Sequence, residues 1–333
     1  MRPDAIRALL DTIPRTPLAA VPTRVMELPR LRAALGPEAP EILAKLDEET
    51  AFGLGGNKVR KLEYELGPPR LRAVTHLVTV GGVQSNHARV TAAAAARLGL
   101  GCVLVLNGEP PDPPTGNALL HRLLGAKVRV VSSRTERTLG MEAEIVRIAE
   151  SGGRALPIPL GASTPLGALG YIRCALEIND QIPPESDRDL QIILASSSGG
   201  TLGGMVAGCA LLERPDVHLL AVSSDTPAAE LQETAVTLAG QALELLEADP
   251  ERLHTMKGRL DVTDAEVGEG YGIPTDASRE ATALLAQSEG LLVDPVYTSK
   301  AMAGLLRAVR NGRFPAGDRI LFVHTGGHPA LFA

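Results

Sequence analysis

Short runs of β-branched and aliphatic residues alternate with longer stretches of helical periodicity through most of this chain, and that alternation is the strongest constraint on its fold. Apolar runs fall at 76–80, 102–106, 127–131, 189–195, 218–222, 291–293 and 320–323, with helical patterns at 87–98, 117–124, 138–150, 202–213 and 300–309. Strand–helix repetition builds parallel sheet, and strands that are apolar throughout predict helices on both faces. The expected class is therefore α/β, with mainly parallel sheets flanked by helices. With four Tyr, four Phe and no Trp, the core must be aliphatic, so each tyrosine stands out as a candidate for a specific role. Residues 228–253 read as a mostly helical, acidic cover.

Composition narrows the function classes. Lys and Arg total 33 against 39 Asp and Glu, a formal charge of −6, with no clustered basic stretch of the kind phosphate backbones require. No nucleic-acid or membrane partner is expected, because the longest apolar stretches stay well short of the ~20 residues a spanning helix needs. The first residues, Met-Arg-Pro-Asp-Ala-Ile, are charged where a secretory signal would be apolar. Three scattered cysteines, Cys102, Cys174 and Cys209, make neither a disulfide framework nor a paired zinc spacing. The expectation is a soluble, cytoplasmic protein without a metal site.

Five segments carry possible chemistry. Gly55-Gly56-Asn57-Lys58 precedes a helical stretch, and Lys58 lies between Leu54 and Val59. A lysine held there and partly desolvated suits an amine that condenses with an aldehyde. The same spacing also describes a glycine turn followed by solvated Lys58, Arg60 and Lys61. Gly81-Gly82-Val83-Gln84-Ser85-Asn86-His87 follows a strand and opens an alanine-rich helix, a usual ligand edge of α/β folds. Ser85 or Asn86 can equally be a plain helix cap, and His87 a structural hydrogen-bonding group.

Ser196 to Gly204, Ser-Ser-Ser-Gly-Gly-Thr-Leu-Gly-Gly, lies between a strand and a helix. Its backbone N–H groups and hydroxyls would cradle an anion. With no lysine at the nucleoside-triphosphate position, a single phosphate fits better. Asp294-Pro295-Val296-Tyr297-Thr298 and Thr325-Gly326-Gly327 each follow an apolar run, and Tyr297 and Tyr271 are positioned to stack on a flat ring or to fill core.

Taken together, Gly-Gly-Asn-Lys-x-Arg-Lys-Leu-Glu at 55–63, Gln-Ser-Asn-His at 84–87, Gly116-Asn117, the serine–glycine loop, Asp-Pro-Val-Tyr-Thr at 294–298 and His-Thr-Gly-Gly at 324–327 occur in one familiar order. The chain resembles the fold-type II pyridoxal phosphate enzymes, and within them the 1-aminocyclopropane-1-carboxylate deaminase / D-cysteine desulfhydrase family. The resemblance implies pyridoxal 5'-phosphate as cofactor, joined to Lys58. It implies catalytic roles for Ser85, Tyr297 and Tyr271. It places Asn86, Ser197, Ser198, Gly199, Gly200, Thr201 and Thr298 at the cofactor, and Ser85, Asn86, His87 and Thr325 at a small amino-acid substrate. It further implies a homodimer, with a large domain of residues 1–60 plus 171–333 and a small inserted domain of 61–170.

Within that family, deaminases place a glutamate after the tyrosine and a leucine later, whereas D-cysteine desulfhydrases have hydroxyl residues at both places. Thr298 and Thr325 match the second pattern. The implied reaction is β-elimination, D-cysteine to pyruvate, ammonia and hydrogen sulfide. The alternatives are an L-cysteate sulfo-lyase, a 1-aminocyclopropane-1-carboxylate deaminase, or a non-catalytic protein that keeps the fold and the cofactor cup. Lys45-Leu46-Asp47-Glu48 departs from the family's Lys-Arg-acidic-acidic string, and Ser299 replaces a common glycine.

Overall fold

The computed structural model describes residues 1–333. Its ten strands are β1 (Val25–Glu27), β2 (Glu41–Leu46), β3 (His76–Gly82), β4 (Gly101–Asn107), β5 (Lys127–Val131), β6 (Ala155–Ile158), β7 (Leu190–Ser196), β8 (Val217–Ser223), β9 (Leu260–Thr263) and β10 (Arg319–His324). They form two sheets, one six-stranded in the order β1-β2-β10-β7-β8-β9 and one four-stranded in the order β5-β4-β3-β6. Every neighbouring pair is parallel except β1 with β2.

The continuous apolar runs follow from burial on both faces. In β7, Ile192 and Leu194 pack with the helices Pro165–Gln181, Gly200–Leu212 and Ala228–Leu245, while Ile193 and Ala195 face Asp276–Glu289 and Thr298–Arg310. Side chains alternate across a strand, so both sets must be apolar. The Gly200–Leu212 helix is apolar around its whole circumference and buried throughout, because it lies between other helices and the sheet. Its small residues let it approach closely: a Cβ at Gly204 would lie 2.2 Å from the Ala168 carbonyl oxygen.

Two helices tie the sheets together. Asn57–Glu65 sends Val59 and Leu62 into the core of the four-stranded sheet and Tyr64 into that of the six-stranded sheet. Pro165–Gln181 carries the chain back to the larger sheet.

Six of the seven apolar runs form strands; residues 291–293 do not. There Val293 is buried, but the Leu292 carbonyl is bound by the imidazoles of His324 (2.7 Å) and His328 (2.9 Å), so it joins no ladder. Strands β1, β2, β6 and β9 were not among the expected runs. Residues 228–253 divide into the helix Ala228–Leu245, whose Leu231, Ala235 and Leu243 face the core, and the 3-10 segment Pro250–Met256.

Candidate active site

The loops following β3, β7 and β10 converge on one cleft, at the carboxyl ends of parallel strands where α/β folds place ligands. Lys58, Ser85, Asn86, His87, Ser197, Ser198, Gly199, Thr201, Tyr271, Tyr297 and Thr325 all line it. Two segments separated by more than a hundred residues thus meet around one amine.

Lys58 is the second residue of the Asn57–Glu65 helix, and the Asn57 amide donates to the Thr201 hydroxyl (2.9 Å), joining the lysine loop to the serine–glycine loop. Burial pushes the Lys58 ammonium down to about 8, with only partial compensation from Asp294. One turn further on, Lys61 has no exposed side chain; its Nζ donates to the Ser163 hydroxyl at 2.9 Å. Its ammonium is held well below the ordinary lysine value, first by burial and then by Lys58, with Glu65 acting in the opposite sense.

Ser163 also meets the Ser198 hydroxyl (2.7 Å) and accepts from the Gly200 N–H (3.2 Å) at the start of the Gly200–Leu212 helix. A Cβ at Gly200 would lie 2.6 Å from Lys61 Nζ, so only glycine leaves this floor open. Hydroxyls, a helix N-terminus and an ammonium with no carboxylate bonded to it are what a phosphate dianion needs. The residues present therefore fit the phosphate and the aldehyde of pyridoxal phosphate, with Lys61 and the serines at one end and Lys58 at the other.

Ser85 both caps the Asn86–Leu98 helix, accepting from the Ala88 N–H (3.2 Å), and faces the cleft. Asn86 Oδ1 accepts from Asn117 Nδ2 (2.9 Å), and Asn117 is itself held by Gln84. That network leaves the Asn86 amide nitrogen as the group free to donate into the cleft. Tyr271 and Tyr297 meet hydroxyl to hydroxyl at 2.5 Å, rings edge to face with centroids 5.7 Å apart. Burial raises both phenols above their ordinary value.

Three expected site residues make contacts that the sequence alone does not show. Thr298 is fully buried outside the cleft lining; its hydroxyl bonds the Asp294 carboxylate (2.7 Å) and accepts from the Asp294 N–H (2.7 Å). It fixes the turn that presents Tyr297, because the Asp294 carboxylate also accepts from the N–H groups of Val296, Tyr297 and Thr298. Gly200 lies beneath the lining, in the floor of the anion cup. His87 touches the cleft, but its Nε2 is bonded to the Thr79 hydroxyl (2.8 Å), and burial holds it neutral.

Lys61, Ser163, Asn57, Arg134, Arg137 and Asp225 were not singled out by sequence reasoning. For Lys61 a signal existed: it stands three residues after Lys58 on the same helix and so shares its face. The alternative of a glycine turn followed by solvated Arg60 and Lys61 is overturned, since both are buried.

The pyridoxal-phosphate dependent enzyme family matches residues 16–326. The chain belongs to that family. A D-cysteine desulfhydrase of Salmonella choleraesuis (strain SC-B67) is 39% identical over 97% of this chain and 97% of its own length, and one of Salmonella newport (strain SL254) is equally similar. A crystal structure of an ACC deaminase homologue superposes with a TM-score of 0.88 at 34% identity, covering 100% of this chain and 97% of that one. A pyridoxal 5'-phosphate-dependent aspartate racemase shares the fold alone, at TM-score 0.64 and 16% identity. The chain is thus a fold-type II enzyme of pyridoxal phosphate.

Proposed function

We propose that this enzyme catalyses β-elimination on a small amino acid, with D-cysteine as substrate and pyruvate, ammonia and hydrogen sulfide as products. The observation that carries the reading is the meeting of a desolvated lysine amine, a phosphate-fitting cup and a phenol pair in one cleft. Bound through Lys58, with its phosphate in the cup, pyridoxal phosphate supplies an electron sink that acidifies the hydrogen on the substrate's α-carbon.

The rest is the work of this chain. Lys58 Nζ, with its pKa lowered to about 8, accepts that proton near neutral pH. Ser85 and the N-terminus of the Asn86–Leu98 helix would hold the substrate carboxylate, and Asn86 Nδ2, left free by Asn117, would be a donor to the bound cofactor. Tyr297, its hydroxyl fixed by Tyr271, delivers a proton to the departing sulfur.

Elimination is favoured over cyclopropane ring opening by the charges present. Asp225 is the one carboxylate among the lining residues, and it is paired with Arg134. A ring opening without a good leaving group gains most from a carboxylate that holds a proton on the cofactor ring, and the cleft offers none for that role. Thr325 adds a hydroxyl where a cyclopropane would prefer apolar contact. Retention of lysine, serine and tyrosine in one cleft weighs against a non-catalytic binder.

We also infer a homodimeric, cytoplasmic enzyme with a large domain of 1–60 plus 171–333 and a small domain of 61–170. The family resemblance and the separate sheets support this reading; the three cysteines are buried and free, and no helix is long and apolar enough to cross a membrane. The test is pyruvate and sulfide release from D-cysteine by the cofactor-loaded enzyme. Equimolar pyruvate and sulfide are expected; 2-oxobutyrate from 1-aminocyclopropane-1-carboxylate with no product from D-cysteine would overturn it.

A further inference from the structure

Tyr271 is carried into the cleft by a segment with little apolar packing to hold it. Residues 264–272 form neither helix nor strand, only Glu266 among them is buried, and none packs into the apolar cores. Gly270 and Gly272 flank Tyr271 with φ of +145° and +78°, backbone that side-chain-bearing residues rarely adopt. A segment of this kind keeps many conformations open unless polar contacts close them. Yet the Tyr271 hydroxyl sits 2.5 Å from that of Tyr297.

The contact that closes the segment comes from the helix Thr298–Arg310. Lys300, in its first turn, is fully buried, and its ammonium donates to three backbone carbonyls. They are those of Val267 at 2.7 Å, Gly270 at 2.9 Å and Ser224 at 3.3 Å, one acceptor for each N–H. Ser224 belongs to the sheet, since its N–H donates to the Ser196 carbonyl (3.0 Å) at the end of β7. Val267 and Gly270 belong to the irregular segment. The ammonium therefore pins that segment to the sheet at the residue before Tyr271.

No carboxylate is bonded to Lys300. Burial lowers its pKa, while Asp225 and Glu266, both beyond bonding range, oppose that. Arg307, two turns further along the same helix, meets Glu266 at 3.3 Å. A ring of carbonyl oxygens is how proteins replace the hydration shell of a monovalent cation. Lys300 also stands three residues after Tyr297, so one turn of chain presents one phenol and fixes the loop of the other.

We infer that Lys300 is a positioning residue, a tethered cation whose three-carbonyl cage sets Tyr271 against Tyr297 for proton delivery to the leaving group. This rests on the β-elimination reading of the same cleft. There the sulfur leaves with the electron pair of the C–S bond and takes its proton from Tyr297, which Tyr271 orients. Chloride leaves with the C–Cl pair and takes no proton, so 3-chloro-D-alanine asks nothing of the phenol pair. In both reactions the α-proton passes to Lys58, and water hydrolyses the three-carbon fragment to pyruvate and ammonium.

The experiment uses the cofactor-loaded enzyme, its Lys300→Met and Tyr271→Phe variants, and the double variant. Lys300→Met is expected to lower kcat on D-cysteine at least about tenfold and on 3-chloro-D-alanine by less than about threefold. In the Tyr271→Phe background the same change should cost no more than about twofold on D-cysteine, because the phenol it positions is already gone. Hydrogen exchange reads the cage without turnover. Lys300→Met should speed exchange at residues 264–272 at least about tenfold and leave the Asn57–Glu65 helix unchanged.

Equal losses on the two substrates, multiplicative losses in the double variant, or unchanged exchange overturn the role of Lys300 and leave the elimination reading standing. A parent that releases pyruvate from neither substrate, with exchange that still depends on Lys300, removes the elimination reading and keeps Lys300 as the group that sets the phenol pair. Should Lys300→Met be insoluble, Lys300→Ala is assayed in potassium chloride and in tetramethylammonium chloride of equal strength. Potassium refilling the cage should raise the ratio of D-cysteine to 3-chloro-D-alanine turnover at least about threefold, and equal ratios in the two salts overturn the inference.

Discussion

One nine-residue helix, Asn57–Glu65, buries cations on two faces, and the two faces are treated in opposite ways. On one, Arg60 donates to Asp47 through Nε (2.9 Å) and Nη2 (2.8 Å), and to Glu177 through Nη1 (2.7 Å) and Nη2 (2.8 Å). Lys45 joins the group through Glu177 (2.9 Å), Gln181 (2.8 Å) and the Thr23 carbonyl (2.7 Å), and Tyr171 donates to Asp47 (2.6 Å). Two cations meet two carboxylates, and the cluster is closed.

On the other face, Lys58 and Lys61 have no carboxylate bonded to them, and each is driven toward its neutral form. Burying a charge is costly unless it is paired, so the first face is architecture and the second awaits a ligand's negative charge. Arg60 holds the helix in place; its neighbours present the chemistry.

The comparison can be broken most decisively at Lys58. Replacing it with alanine should cut pyruvate release by at least about 10³-fold, because the α-proton loses its acceptor. Near-parental turnover, measured by coupled assay on soluble protein, would contradict the assignment. The next effect is on folding: Arg60→Met should destabilise the chain by about 3–5 kcal/mol in urea unfolding, since it takes the guanidinium from the fully buried Asp47 carboxylate. A change under ~1 kcal/mol would place the cluster among the weak ion pairs instead.

Lys61 sharpens the contrast because two readouts should move in opposite directions. In Lys61→Met the cofactor-free chain should melt no lower than the parent, having lost an uncompensated cation, while affinity for pyridoxal phosphate falls at least about tenfold. Loss of stability with unchanged affinity would make Lys61 structural like Arg60.

The smallest effect is a pH slope. In the cofactor-free chain the Lys58 ammonium titrates near about 8 instead of 10.5. Between those values the unfolded chain holds the proton and the folded one does not. Stability should therefore rise with pH across that window, by up to about 1.4 kcal/mol per unit, and Lys58→Met should remove that contribution. Identical pH profiles for the two proteins would count against a desolvated amine.

Much of the site was legible because ligand-binding loops carry residues that packing does not demand. Glycine pairs beside Lys58 and a run of polar residues after β3 have no role in an aliphatic core. Asn117 was visible only through the family pattern; its function, orienting Asn86, needed three dimensions. Thr298 needed three dimensions too: its hydroxyl bonds the Asp294 carboxylate, which fixes the turn that presents Tyr297. The paired cluster was not legible at all. Lys45, Asp47, Arg60 and Glu177 are spread over more than a hundred residues, and each alone reads as a solvated charge. The 291–293 run failed for a local reason, its carbonyl being taken by histidine side chains.

Borohydride reduction of the loaded enzyme, followed by peptide mass spectrometry, tests the division of labour between the two cleft lysines most directly. The account predicts the reduced cofactor on Lys58 and an unmodified Lys61. A label on Lys61, or on neither lysine in an enzyme that still retains its cofactor, would contradict it.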